Sequence, residues 1–339
     1  MLFSRRRKPA GSPIEDFWVW WSEARPRVEA AIAAHEWGDD LVADIASRVQ
    51  AIHPNLEWEF GKGSLAKHVL VVSGAGNSAL RAVTERWRRA GPRADETFEF
   101  APARQADLST MEAKLALDGH TVELADLRFA FQIDDSRAQV DVRVWHPDFA
   151  ELSADTRLRV TFLSLSWLLV EDGVEIWIGE ITTATERPAE AVSGTELATA
   201  VADLAAHHRE PRWALLQGMV GGEPLIAMIQ VPLKPARWPL LDTHIGLMVA
   251  YRLANDAGFP VESSLDALRE LEDRIVAYVD GAVIVAHETS AGIRTFHLYA
   301  DGAVPAEAIK PLIASWSEGR TEMRMTSDPD WEKISHLRP

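Results

Sequence analysis

The order of hydrophobic periodicities over the last third of the chain constrains its fold more than any other feature. Ile245, Leu247, Val249 and Tyr251 alternate with His244, Gly246, Met248, Ala250 and Arg252, the period of two of a strand with one buried face. Leu265, Leu268, Leu271, Ile275 and Val279 then recur at helical spacing, and Gly281 follows where that helix should stop. Two more alternating runs, 283–288 and 293–299, flank a turn at Ala291-Gly292. A helix over 306–316 carries Ile309, Leu312, Ile313 and Trp316, with Pro311 kinking or delaying it, and a strand at 321–327 closes the series. The order β-α-β-β-α-β is the ferredoxin-like arrangement; it predicts strand order 4-1-3-2 with both helices on one face. A hairpin precedes it, 213–220 and 225–231, turning at Gly221-Gly222.

The chain has 339 residues, beyond the size at which one core stops growing, so two α+β domains are expected. Residues 1–12 read as a disordered basic tail around Arg5, Arg6, Arg7 and Lys8. An N-terminal α+β domain with an antiparallel sheet is expected over 13–181. It opens with helices at 13–34, divided or kinked by Pro26, and 39–53, and continues with strands at 56–60 and 68–73, a helix to Arg89 and several short strands. The segment 156–170 is apolar on nearly every side of a helix and predicts burial between layers. A strand over 174–178 should follow it. Residues 182–195 are polar with Pro188 and Gly194 and read as the linker to a C-terminal domain at 196–339. The helix–strand–strand–helix–strand order over 39–100 suggests a diverged structural repeat of the C-terminal series.

Charge and composition close off several functions. The formal net charge is −16 and each half of the chain is acidic, which argues against binding a nucleic-acid duplex and suits a basic partner. There is no cysteine, so disulfides, thiolate zinc sites and cysteine nucleophiles are excluded. No apolar stretch follows the basic N-terminus and no run is long enough to span a bilayer. A soluble, cytoplasmic protein with no membrane contact is therefore expected.

Gly74-Ala75-Gly76-Asn77-Ser78-Ala79 follows an apolar strand and matches G-x-G-x-x-A, with Asp95 downstream. Dinucleotide binding would need that acid at the end of the next strand, and Asp95 precedes it; a glycine turn with a capped helix is the plainer expectation. Glu171, Asp172, Glu175 and Glu180 surround a turn, without a calcium-loop register or a partner histidine. His207-His208 is placed to end a helix. No catalytic residue, cofactor-binding residue or metal ligand emerges, and no cofactor is expected.

The other face of the C-terminal sheet should carry His244, Met248, Arg252, His297 and Tyr299, beside Glu288, Thr295, Glu322 and Arg324, with Val283 and Val285 turned toward the helices. Tyr, Arg and Met concentrate where proteins meet other surfaces, so the first five form a candidate contact face, either for the N-terminal domain or for a partner protein. Arg294 falls on the helix side, with Asp328 or another acid near the C-terminus as the expected partner.

Residues 289–299, TSAGIRTFHLY, with the ending Asp328-Pro329-Asp330-Trp331, resemble a bacterial family known as domain of unknown function 695. Residues 170–179, VEDGVEIWIG, resemble the region that often precedes it. The same ending is similar to regulator of ribonuclease activity B, a ferredoxin-like protein that inhibits an endoribonuclease by binding it. That resemblance implies a non-enzymatic protein-interaction or regulatory, inhibitor-like module with an unidentified protein partner. The competing expectation is an enzyme or small-molecule binder with a polar site between the domains, built from residues such as His244, Arg252, Glu288 and His297. Oligomeric state is left open.

Overall fold

In the computed structural model the described residues are 11–105, 108–210, 212–302 and 306–338; the basic cluster expected to form a tail lies outside them. The chain divides into two compact units, Met1–Arg104 and Gln105–Pro339.

The first unit opens with α1 (Pro13–Ala34), started by a capping box in which the Ser12 side chain and Glu15 exchange hydrogen bonds with each other's backbone. Pro26 sits inside this helix without dividing it. Then follow α2 (Asp39–Ile52), β1 (Glu57–Lys62), β2 (His68–Ser73), α3 (Arg81–Ala90) and β3 (Phe98–Ala101). Aromatic rings fill the core: Trp18 stacks on Trp87 at 4.9 Å and its indole N–H donates to the Trp87 carbonyl at 2.8 Å. A side chain at Gly91 would run into the Trp18 ring, so the helix stop also permits this packing. The buried carboxylate of Glu99 accepts from the backbone N–H groups of Ser64, Leu65 and Ala66 and from the Ser64 hydroxyl, pinning the loop between β1 and β2.

The sheet of this unit is mixed. β1 and β2 are antiparallel, but β3 lies parallel to β2, because α3 carries the chain back to the starting edge. The expected antiparallel sheet is corrected accordingly. The glycine motif does join a strand to a helix across a parallel pair, with Asn77 capping the turn Ser78–Leu80. Asp95, however, is held by Arg25 at 2.5 Å and by the N–H groups of Thr97 and Phe98, at the start of β3.

The second unit begins with a hairpin of β4 (Lys114–Leu117) and β5 (His120–Glu123), followed by β6 (Arg128–Asp134) and β7 (Gln139–Trp145). α4 (Ala154–Trp177) then returns the chain to β8 (Ile178–Ala184), parallel to β7, and α5 (Gly194–His207) packs on α4 and β6. Three expectations fail here. α4 runs through 174–177, where a strand was expected, and breaks at Val170, whose φ of 64° and ψ of 155° are not helical. Leu158, Phe162 and Leu163 are exposed, so only one side of α4 is buried. Residues 182–195 are no linker: 182–184 complete β8, Val192 exchanges backbone hydrogen bonds with Phe129, and Gly194 begins α5. The polar composition there reflects a surface turn inside a compact unit.

The remaining strands form one antiparallel sheet: β9 (Arg212–Val220), β10 (Glu223–Val231), β11 (Thr243–Ala250), β12 (Ala282–Ser290), β13 (Ile293–Ala300) and β14 (Thr321–Ser327), in the order β14-β11-β13-β12-β10-β9. The last four in sequence stand as 4-1-3-2. The helices α6 (Glu262–Tyr278) and α7 (Ala306–Ala314) cover one face, where Leu268, Leu271, Ile275 and Ile309 pack on Ile245, Leu247, Val249 and Leu298. Gly221 and Gly222 turn the added hairpin with φ of 58° and 88°, the left-handed pair such a two-residue turn requires.

Candidate functional site

Alternation assigns His244, Gly246 and Met248 of β11 and Thr295, His297 and Tyr299 of β13 to the sheet face away from α6 and α7, and the register agrees: His244 pairs with Tyr299, Gly246 with His297 and Met248 with Thr295. On β12 the alternation breaks. Ile284 pairs with Leu298 and Ala286 with His297, leaving Val285 as an extra residue in a bulge. Val283 and Val285 consequently face away from the helices, against expectation, while Ile284 packs under α6.

The segment 328–337 covers this face. Trp331 is fully buried, stacked between Tyr299 at 4.1 Å and Trp238 at 5.4 Å, and its indole N–H donates to the Leu241 carbonyl at 2.9 Å. Ile334 and Leu337, from the short 3-10 segment Glu332–Leu337, pack beside Ala227, Ile229 and Val285. Asp328 anchors the segment: it accepts from the Tyr299 hydroxyl at 2.5 Å and from the backbone N–H groups of Glu332 and Lys333 at 2.9 and 3.0 Å. Burial, and then this hydrogen bond, push the Tyr299 phenol upward in pKa, so it keeps its proton and donates.

Beneath the segment lies a line of ionisable groups. His244 Nε2 is 3.0 Å from His297 Nδ1, His297 Nε2 is 3.3 Å from one oxygen of Glu288, and His336 Nε2 is 3.1 Å from the other. Gly246 leaves room for this: a Cβ there would meet the His244 ring at 3.1 Å. Burial pushes the Glu288 carboxyl up, yet the hydrogen bonds and charges of His297 and His336 outweigh it and hold the group below the ordinary range. An ionised Glu288 only accepts, so both facing Nε2 atoms carry protons; in the neutral form of His297, Nδ1 then accepts from His244 Nε2–H. Burial, reinforced by His297, lowers His244 to about 4. His244 is therefore neutral near pH 7. Among the described residues no three His, Asp or Glu side chains converge to hold a metal ion.

Of the five residues expected on a contact face, His244, His297 and Tyr299 come together and are buried. They pack under the C-terminal segment of the same unit, an outcome that neither expected partner for this face describes. Met248 is half-buried beside a shallow cleft of about 200 Å³ with Arg320 and Glu322. Arg252 lies beyond the end of β11, exposed, donating to the Ser317 carbonyl at 3.2 Å. His336 escapes sequence reasoning, because no periodicity tells a 3-10 segment which face it will cover.

What remains open is the far end of the same face. A groove of about 480 Å³ crosses β9, β10, β12 and β13, lined by Leu216, Gly218, Leu225, Ser290 and Thr295, with Glu288 and His336 at its inner side. The Ser290 hydroxyl is buried with no hydrogen-bond partner among the described residues. The groove borders β9, an edge strand whose outer side no strand pairs with among the described residues. Leu215, Met219 and Val220 of β9 are 55, 66 and 54% exposed.

Among the described residues no helix is long and apolar enough to cross a membrane. No curated protein and no solved structure matches the chain. From the first residue of β9 to the histidine that ends the relay, residues 212–336 match the Family of unknown function (DUF695).

Proposed function

We propose that the protein is a cytoplasmic, non-enzymatic interaction module of regulatory, inhibitor-like kind, and that it docks an extended segment of a partner protein at the β9 end of its six-stranded sheet. The single observation that carries this reading is β9 itself. Nine residues long, it combines an edge unpaired among the described residues with exposed apolar side chains, whereas soluble proteins blunt such edges with charges, prolines or bulges unless the edge is used. Strand addition supplies main-chain hydrogen bonds for affinity and side-chain pockets for specificity. Reading the β-α-β-β-α-β part as a ferredoxin-like fold with an added hairpin agrees with this, as does the likeness of the ending to regulator of ribonuclease activity B. The histidines that an enzymatic reading would use are sealed and mutually satisfied.

The register separates docking from folding. Val220 pairs with Glu223 across the two-residue turn, so the N–H groups of residues 213, 215, 217 and 219 point away from β10. Gln217→Pro removes one outward donor and leaves the β9–β10 ladder whole. Cross-linked affinity purification from the native host should recover a partner with the natural chain and lose it with Gln217→Pro at unchanged melting temperature. Recovery undiminished by that proline would remove β9 as the docking element.

A further inference from the structure

The groove beside β9 has a chemical character that a bare edge strand lacks. Its sides are apolar, with Leu216, Val220 and Leu225 at one end and Leu337 beside His336 at the other. Gly218 opens the rim at β9: a Cβ placed there would meet nothing within 4 Å. From that rim the groove runs across three interstrand spacings to β13, about 14 Å, room for a few residues of extended chain. At its inner side stands one carboxylate, Glu288, whose side chain is only 21% exposed and whose outer oxygen is bonded to the half-exposed His336. Two polar hydroxyls, Ser290 and Thr295, lie on the floor.

We infer that the groove receives a partner segment in which a lysine or arginine is flanked by apolar residues, the cation taking the place of His336 at the outer oxygen of Glu288. Charge complementarity commits the site to that occupant. A largely covered, ionised carboxylate beside apolar side chains disfavours an acidic segment, while the chain's net charge of −16 draws basic segments toward it. His336 is the exchangeable element, because His297 still satisfies the inner oxygen when His336 swings out into solvent. The inference rests on the docking reading above and adds to it the side chain that the site selects.

Phage-displayed random heptapeptides panned on the full-length protein provide the test, followed by titration of the best synthetic peptide against the natural chain, Glu288→Gln and Gly218→Val. Enriched peptides should carry Lys or Arg between apolar residues. Binding should weaken ~10-fold or more in Glu288→Gln, as expected for loss of a charge-assisted pair, and also in Gly218→Val, which fills the rim without touching the fold. The His336 ring resonances should shift on titration of the natural chain. Peptides without a basic residue, affinities unmoved by both substitutions, or no enrichment at all would overturn the inference. Peptide binding lost in Gln217→Pro but kept in Glu288→Gln would retain the β9 docking element and discard the basic side chain.

Discussion

His287 lies on the α6 face of the sheet, stacked on Phe296 at 5.8 Å, with Nδ1 3.7 Å from a Glu272 oxygen. Burial, and then Arg294, lower it to about 4, the same value that burial gives His244 on the opposite face. An unfolded histidine takes its proton near 6.5, so between pH 6.5 and 4 the unfolded chain binds protons that these rings refuse. Stability is fully present above about pH 6.5 and falls as the pH drops toward 4, by on the order of 3 kcal/mol for each ring. Glu288, depressed by its histidine partners, adds a loss at lower pH, while Glu272, raised by burial, works the other way. Urea midpoints of the sheet-containing unit should fall between pH 7 and 4.5, and His287→Phe should recover about 2 kcal/mol of that loss; an equal loss in the variant would show that His287 contributes nothing. Arg294 shows what alternation can and cannot say at this scale. It predicts the helix-facing side correctly, and there the guanidinium is buried and donates to Thr289 at 2.9 Å. The guessed partner Asp328 is on the other face, bonded to Tyr299. Position within a strand is a local property, whereas pairing depends on segments that share no period with it.

At the scale of elements, strands and helices with one clear face were legible: the hairpin turning at Gly221-Gly222, the strand 321–327, and the helix under Leu268 and Ile275 all stand where periodicity puts them. Elements whose pattern is ambiguous were not. The stretch 174–178 alternates over too few residues to distinguish a strand from the last turn of a broken helix, and the bulge at Val285 has no signature in a run of small and β-branched residues. The covering segment, Asp328–Leu337, was visible only as the motif around Trp331, not as a lid on the face. Its packing makes a strong prediction. Trp331 is enclosed by Tyr299, Trp238 and the Leu241 carbonyl, so Trp331→Ala should cost about 3–5 kcal/mol and expose His244 and His297 to solvent. A denaturant melt together with histidine hydrogen–deuterium exchange measures both effects; a change below about 1 kcal/mol would mean that the segment rests on the sheet without holding it.

For the whole molecule, composition and length correctly indicate a mixed α+β chain, but its division falls between residues 104 and 105 and not at 182–195. The reason is topological. A strand, a hairpin partner, a helix and a parallel return occur twice, over β1-β2-α3-β3 and β6-β7-α4-β8, and each return strand binds its helix and hairpin into one sheet. The C-terminal series closes differently, with β14 pairing to β11, so strand pairing in the first and last thirds agrees at the hairpins β1-β2 and β12-β13 and differs at the closing strand. Fragments cut between residues 104 and 105 should each melt cooperatively. A cut within 185–190 should separate β8 from α5, which packs on its sheet, and leave the N-terminal piece aggregated or molten by near-ultraviolet dichroism. Two well-folded products from the second cut would contradict the assignment.

The burial of Trp331 and Ile334 also sets a schedule. Synthesis proceeds from β9 at one edge of the sheet to β14 at the other, and the segment that closes the second face is translated after all six strands. Until then Tyr299, Val285 and Ile229 have nothing to lie under, and a nascent sheet presents them to the surrounding solution. Translation that stops short of residue 331 therefore yields a chain with every strand and no finished core, an adhesive species that quality-control machinery could recognise by its surface alone. For a protein proposed to work by sticking to one partner, this last turn of backbone separates selective adhesion from the indiscriminate kind.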